Sequence, residues 1–319
     1  MNSELEKVCA RFVEYRYQLR EMNVFSSYHQ LYPLCAYICM IRGQEPNQEI
    51  MDLCKELLRE RFGAFNMFRG NGEKVITALL ACESDPGAAA DLSEEAYAVL
   101  RDEFSASHYL PMLAYYMATT MPPAEFAHFT YETRMLYNMF NDMHPILTSE
   151  EDVLFIGLLN ATRRNHSSLV NEAEDIWHAL RDDFRWNKDA LQTCAHALVL
   201  CEGEPMVKAA RFYNLFRRLR DEGYRYGKGY EGVPLAILAN LGIDQEQIVN
   251  DFVEAEQYLE QSGGYGFWAG FSSKARYMHA ILVLSAYYGS GTSELNAAFI
   301  VSVLREIAEQ QAAAAAAAA

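Results

Sequence analysis

The chain has no run of about 18 apolar residues free of charge, so the sequence offers no membrane span. Period-two runs of β-branched residues are missing as well, and with them the usual signal of a strand. Positive charge is scarce: 27 Lys and Arg face 43 Asp and Glu, a formal charge of −16. Phosphate contact needs clustered Lys and Arg, so neither nucleic acid nor an anionic membrane is an expected partner. The opening MNSELEKVCARF carries acid where a secretory signal needs base and then an apolar block. A cytoplasmic location is therefore expected. Phosphate loops of the Gly-x-x-x-x-Gly-Lys type, His-Glu-x-x-His and Gly-x-Ser-x-Gly are all lacking, so no established catalytic class is signalled. GGYG, Gly263 to Gly266, follows no strand and is not read as a dinucleotide loop.

What the chain does have is apolar bulk, at 51% of its residues, enough for a large core and against disorder. It also repeats. Leu19, Leu58, Leu100, Phe140, Leu180, Leu219 and Leu259 end successive amphipathic segments at intervals of 39, 42, 40, 40, 39 and 40 residues. Four copies continue as LRERF, LRDEF, LRDDF and LRDEG. After each anchor comes a turn and then a short apolar segment, for example VLFIGLLNA or LQTCAHALVL. The spacing predicts an all-α protein of about seven antiparallel helical hairpins, at least six of them in one array without a sheet. The long helices carry a stripe, as with Leu169, Ala173, Ile176, Trp177 and Leu180. The short ones are apolar nearly all round and are expected to form an inner layer. Both a curved α-solenoid and a closed α/α toroid satisfy this pattern.

Local signals agree with the hairpins. Thr148 and Glu151 have capping-box spacing. Asn187 and Ser272 or Ser273 are expected N-caps, and Pro122-Pro123 and Pro205 suit first turns. Gly203, Gly242 and Gly289 stand where short helices should stop. Residues 1–311 read as one domain closed by an ordinary amphipathic helix, SELNAAFIVSVLREIAEQQ. The alanine run 312–319 matches nothing in the repeat and is read as artefactual.

The order of FRGNGEKVITALLACESDP, SASHYLPMLAYY, HPILTSEEDVLF, NKDALQTCAHALVL, GYEGVPLAIL and GGYGFWAGFSSKARYMHA resembles a bacterial family known only as domain of unknown function 4003. That resemblance spans roughly residues 1–290 and implies an all-helical cytoplasmic protein, with no activity attached. YLEQSGGYGFWAG followed by ARYMHAILVLSAYYG looks more loosely like the repeats of protein prenyltransferases and terpene cyclases. The Asp-rich box of the cyclases and the zinc set of the prenyltransferases are both missing, and shared fold would not transfer function.

Cys9, Cys35, Cys39, Cys54, Cys82, Cys194 and Cys201 are odd in number and fall on apolar helical positions, as reduced core thiols do. Cys194, His196 and Cys201 do not share a helix face, so no metal is expected, and no cofactor either. Arg211, Arg217, Arg218, Arg220, Arg225 and Lys228 lie among aromatics. They read as a solvated face paired with Asp221 and Glu222, or alternatively as a contact for an anion or acidic partner.

The period stacks every long-to-short turn along one edge. That edge gathers His108, Tyr109, His144, Glu151, Asp152, Trp186, Lys188, Asp189, Gln192, Tyr224, Tyr230, Glu231, Tyr265, Trp268, Lys274 and Arg276, beside short-helix N-termini that favour anions. The opposite turns, among them TTMPPAEF and RRNHSS, read as caps and linkers. The leading expectation is a helical-repeat binding protein for a partner protein or small ligand. Its site would comprise Tyr109, Trp186, Lys188, Asp189, Gln192, Tyr230, Glu231, Trp268 and Arg276, unless these aromatics merely seal the core. The alternative is a toroid-type hydrolase, lyase or transferase using Glu151, Asp189 or Glu231, with His144 or His196 as acid or base. Two carboxylates within about 10 Å across a closed pocket would mark that alternative.

Overall fold

The computed structural model describes residues 1–22, 29–63, 66–70, 72–184, 187–265, 271–289 and 291–318. Among these residues every regular element is helical and no strand occurs. The helices pair along the chain: α1 (Ser3–Glu21) with α2 (Tyr32–Ile41), α3 (Gln48–Arg61) with α4 (Glu73–Ala81), and α5 (Pro86–Glu103) with α6 (Leu110–Thr120). The series continues with α7 (Phe126–Met143) and α8 (Val153–Ala161), α9 (His166–Leu180) and α10 (Lys188–Leu200), α11 (Pro205–Asp221) and α12 (Gly232–Ala239), and α13 (Gln245–Gln261) and α14 (Ser273–Tyr288). One more helix, α15 (Ser293–Ala318), follows.

All seven anchor residues are buried in the last turn or so of their long helices, which explains the repeat: each is the core contact that closes a hairpin. The long helices bury one stripe, as α3 does with Met51, Cys54 and Leu58. In contrast α12 is buried at every position from Gly232 to Ala239, as a helix without a polar face must be. Asn2, Asn47, Asp85, Asn165 and Asp244 each cap a long helix through a side-chain oxygen that accepts from backbone N–H groups of its first turn. Asn187 and Ser272 do the same for α10 and α14. Gly203, Gly242 and Gly289 take φ values of 113°, 80° and 82°, which only glycine adopts freely at a helix stop. The cap before α8 is displaced by one residue from the expected one. Ser149 Oγ accepts from Glu151 N at 3.3 Å while Asp152 accepts from Ser149 N at 2.9 Å. Thr148 faces inward instead and donates to Phe140 O.

The two ends of the array meet. α1 packs on α13 and α14, and α14 also packs on α2. Arg16 donates to Gly263 O at 3.1 Å, Tyr17 to Ser262 O at 3.2 Å, and the Phe12 and His279 rings lie 5.9 Å apart.

The closing helix departs from expectation. α15 is not an ordinary amphipathic helix on the outside; it packs on α2, α6, α8, α10 and α12 of the inner layer. Ala298, Phe299, Val301, Ser302 and Val303 are fully buried, and so is Glu306. Phe299 meets Tyr37 of α2 at 5.2 Å between rings, while Tyr226, ahead of α12, donates to Glu306 at 2.6 Å. AAFIVSVL carries no charge because most of it is buried among the inner helices.

Candidate functional site

The long-to-short edge does bring residues from distant repeats together, and they converge on Arg305 of α15. Its guanidinium lies 4.1 Å from the Tyr230 ring centroid and 5.8 Å from that of Tyr109. It reaches Asp152 at 3.6 Å and donates to Thr193 Oγ1 at 3.3 Å. Gln192, buried beside them, donates to Thr148 Oγ1 at 3.0 Å, and its own Oε1 accepts nothing. Burial raises the pKa of Asp152, against the pull of Arg305 and the hydrogen bonds from Ser149. The Tyr230 hydroxyl is pushed up to about 12 by burial, with Arg305 opposing.

A carboxylate group adjoins this hub. Glu231 and Glu309 converge above Gly229, their carboxylate oxygens 2.9 and 3.5 Å from the point where a Cβ would stand. Lys274 pairs with Glu231 at 3.3 Å. Glu306 is buried beneath, its two oxygens accepting from Tyr226 at 2.6 Å and Gln310 at 2.9 Å. Burial, reinforced by Glu231, raises its pKa to about 8, so it is largely protonated at neutral pH despite the hydrogen bond from Tyr226. Glu309 is raised too, first by burial and then by Glu231.

Among the described residues the other expected ones form no hydrogen bond or ion pair with Arg305, although Asp189 is near enough to act on Tyr230 and Glu151 on Tyr109. Lys188 and Asp189 are exposed at the start of α10. Arg276 is tied to α13 through Glu256 at 2.5 Å and Glu260 at 3.1 Å. Glu151 accepts from the backbone N–H of His108 at 3.5 Å. His144 is held by Glu174 at 2.6 Å, and its ring is tilted against Trp177 with centroids 5.1 Å apart. His196 is in the core, 4.6 Å from the Phe140 ring, with Nδ1 unpartnered. Burial, with smaller effects from His144 and Arg305, lowers it to about 3, a neutral imidazole walled off from any substrate. Trp186 and Trp268 lie outside the described residues. Arg211, Arg217, Arg218, Arg220, Arg225 and Lys228 are exposed and, among the described residues, make no ion pair with Asp221 or Glu222. Among those residues no three His, Cys, Asp or Glu side chains are grouped to hold a metal.

Two adjoining cavities open at the other edge, where the turns read as caps and linkers. The first, about 240 Å³, is mostly apolar, walled by Ile41, Leu79, Met112, Ala297 and Ile300, with Tyr115 and Arg42 at its rim. The second, about 620 Å³, is polar, with Glu132, His128, Asn160, His166 and Glu294 among its walls. Tyr116, Thr120 and Ser293 line both, so the two adjoin beside the first turns of α15. Arg163, in the wall, has φ 56°, the one positive value outside glycine among the described residues. Such backbone is uncommon for a residue with a side chain and concentrates at functional sites.

A family model matches residues 16–312. The chain belongs to the DUF4003 family. Its members are described as proteins of unknown function, and no curated protein and no solved structure matches the chain. The match runs through the buried part of α15, beyond the residue 290 at which the sequence resemblance was expected to stop. In this DUF4003 protein the match therefore covers most of α15, including positions 294, 305 and 306. Sequence reasoning misses Glu294, Arg305 and Glu306 because their helix reads as an ordinary amphipathic one that belongs to no repeat. The signal was present: eight residues from Ala297 to Leu304 contain no charge.

Proposed function

We propose that this is a helical-repeat binding protein that holds a small ligand in the groove beside the start of α15. The observation that carries the reading is the pair of cavities joined through Tyr116, Thr120 and Ser293, one apolar and one polar. Concave sites of this size with a few polar groups in an apolar wall are where small molecules bind. The wider architecture is read as an α/α toroid plugged by its own last helix. Residues expected to face a ligand at the long-to-short edge, Tyr109, Gln192, Tyr230 and Glu231 among them, are read as the seat of that plug. Seven unbridged cysteines, buried except Cys82, suit the reducing cytoplasm of a bacterium.

The test is a thermal-shift screen of the full chain against a small-molecule set, run in parallel on Thr120→Trp. Thr120 is exposed at the end of α6 and lines both cavities, so a bulky side chain there fills the groove without touching the core. Compounds that stabilise the wild type and not the variant support the reading. Hits that stabilise both equally place binding elsewhere and refute it.

The toroid-enzyme alternative draws on Glu306, a carboxyl kept protonated beside Glu231 and Glu309, as an acid beside a base would be. Conversion of a bound compound, followed by mass spectrometry and abolished by Glu231→Gln, would favour it over simple binding.

A further inference from the structure

The ligand class can be read from which wall groups already have partners. Three arginines reach the groove, and each is taken by a carboxylate. Arg42 pairs with Glu83 at 3.8 Å and donates to the Tyr115 hydroxyl at 3.3 Å. Arg163 pairs with Glu125 at 3.0 Å. Arg164 pairs with Glu172 and donates to Val199 O at 3.3 Å. Neither Glu83 nor Glu172 lines the cavities, so two of these pairs leave the groove's own acids uncompensated.

Two of those acids remain. Among the described residues Glu132 pairs only with His166, at 3.7 Å. Glu294, on the first turn of α15 where the cavities join, accepts hydroxyl hydrogens from Tyr116 at 2.6 Å and Ser293 at 3.2 Å. No cation pairs with it among the described residues. Burial opposes its ionisation, but hydrogen bonds from Tyr116, Thr292, its own backbone and Ser293 outweigh burial and lower its pKa. Asn296, two residues along the same helix, lines the apolar cavity, and its Oδ1 accepts no hydrogen bond. An ionised carboxylate and an unused acceptor call for a donor-rich positive group, and the Tyr115 and Tyr116 rings are compatible with one. Next to them the wall turns aliphatic.

We propose that the groove takes a small amphipathic amine, its ammonium head beside Glu294 and its apolar arm against Ile41, Leu79, Met112 and Ile300. This rests on the groove being a binding site. Anionic ligands are disfavoured because no arginine in the wall lacks a carboxylate partner.

Isothermal titration of the full chain with hexylamine, hexanol and hexanoate tests it. Hexylamine should bind and hexanoate should not at the same concentrations. Glu294→Gln should weaken hexylamine by about tenfold, the usual effect of losing one charged hydrogen-bond partner, and leave hexanol unchanged. If Glu294→Gln fails to fold by circular dichroism, the wild type serves instead: hexylamine affinity should fall with acidification through the carboxylate range while hexanol affinity does not. Hexanoate binding as tightly as hexylamine, an unchanged affinity in Glu294→Gln, or no hexylamine binding overturns the assignment. If hexanol or hexanoate nevertheless binds and Thr120→Trp abolishes that binding, the groove stands and only the cation falls.

Discussion

Arg305 of α15 stacks its guanidinium 4.1 Å from the ring centroid of Tyr230, two residues before the start of α12. The contact joins residues from the two ends of one idea: a helix that closes the chain, and a turn from the sixth hairpin that receives it. Asp152, from the fourth hairpin, completes the clasp at 3.6 Å. Removing the cation strands a buried carboxylate, so Arg305→Met should cost on the order of 3 kcal/mol in urea denaturation. A change under about 0.5 kcal/mol would mean that the clasp holds nothing.

Glu306 makes stability fall as pH rises through neutrality. Its folded pKa is raised to about 8, above the ordinary carboxyl value of 4.5. The folded chain therefore keeps a proton that the unfolded chain releases. The resulting stabilisation is full below pH 4.5 and is lost as pH rises to about 8, on the order of 1 kcal/mol per pH unit within that window. Glu306→Gln should flatten the slope, gaining on the wild type as pH rises, because Tyr226 can turn its hydroxyl to suit an amide. His196, lowered to about 3 from 6.5, works in the opposite sense: its contribution is present above pH 6.5 and lost below it. Denaturation curves of wild type and Glu306→Gln across pH 5–9 would show both trends; parallel curves would refute the Glu306 assignment.

Gly157 of α8 faces the Leu113 side chain of α6. A Cβ there would stand 2.7 and 2.8 Å from the two methyl carbons of Leu113, which is fully buried. Alanine favours a helix by up to about 1 kcal/mol over glycine, yet overpacking costs typically 1–3 kcal/mol. Gly157→Ala should therefore destabilise, by about 1 kcal/mol. Combined with Leu113→Ala it should cost less than the two changes separately, as coupled neighbours do. Additive effects would show that the two do not meet.

The thiols should react in order of exposure. Burial raises the pKa of Cys9, Cys35, Cys54, Cys194 and Cys201, whereas Cys82, partly exposed, is lowered by a hydrogen bond from Cys39 and by Arg42. A thiol reagent should titrate Cys82 first on the native protein, and all seven cysteines only after denaturation. Cys82→Ser should remove the fast phase; a fast phase that survives points to a more accessible thiol than this packing allows.

The hairpins were legible because each repeat carries the same physical demand. One apolar anchor per 40 residues must close each pair, and Leu58 and Leu219 meet that demand in the same way. The edge where Tyr109, Asp152, Gln192, Tyr230 and Glu231 gather was legible for the same reason, since a period places like turns side by side. What they face was not. Periodicity describes relations between repeats, and α15 belongs to none, so Arg305 and Glu306 had no repeat partner to reveal them. His196 misled because chain order cannot distinguish a helix end at a pocket from a position packed on Phe140. The groove at the other edge went unread because Thr120, Arg163 and Glu294 come from two turns and a helix start that meet only after the array has bent.

If α15 is the axis of the array, its backbone amides can exchange only when the surrounding inner helices open. Hydrogen–deuterium exchange followed by mass spectrometry reads this directly, on peptides covering Phe299 to Leu304. Those amides should be among the slowest in the protein, exchanging with the free energy of global unfolding and in step with α8 and α12. Exchange within seconds, while α8 and α12 stay protected, would show a helix that merely trails from the last hairpin, and would contradict the plug, the clasp at Arg305 and the groove that α15 completes.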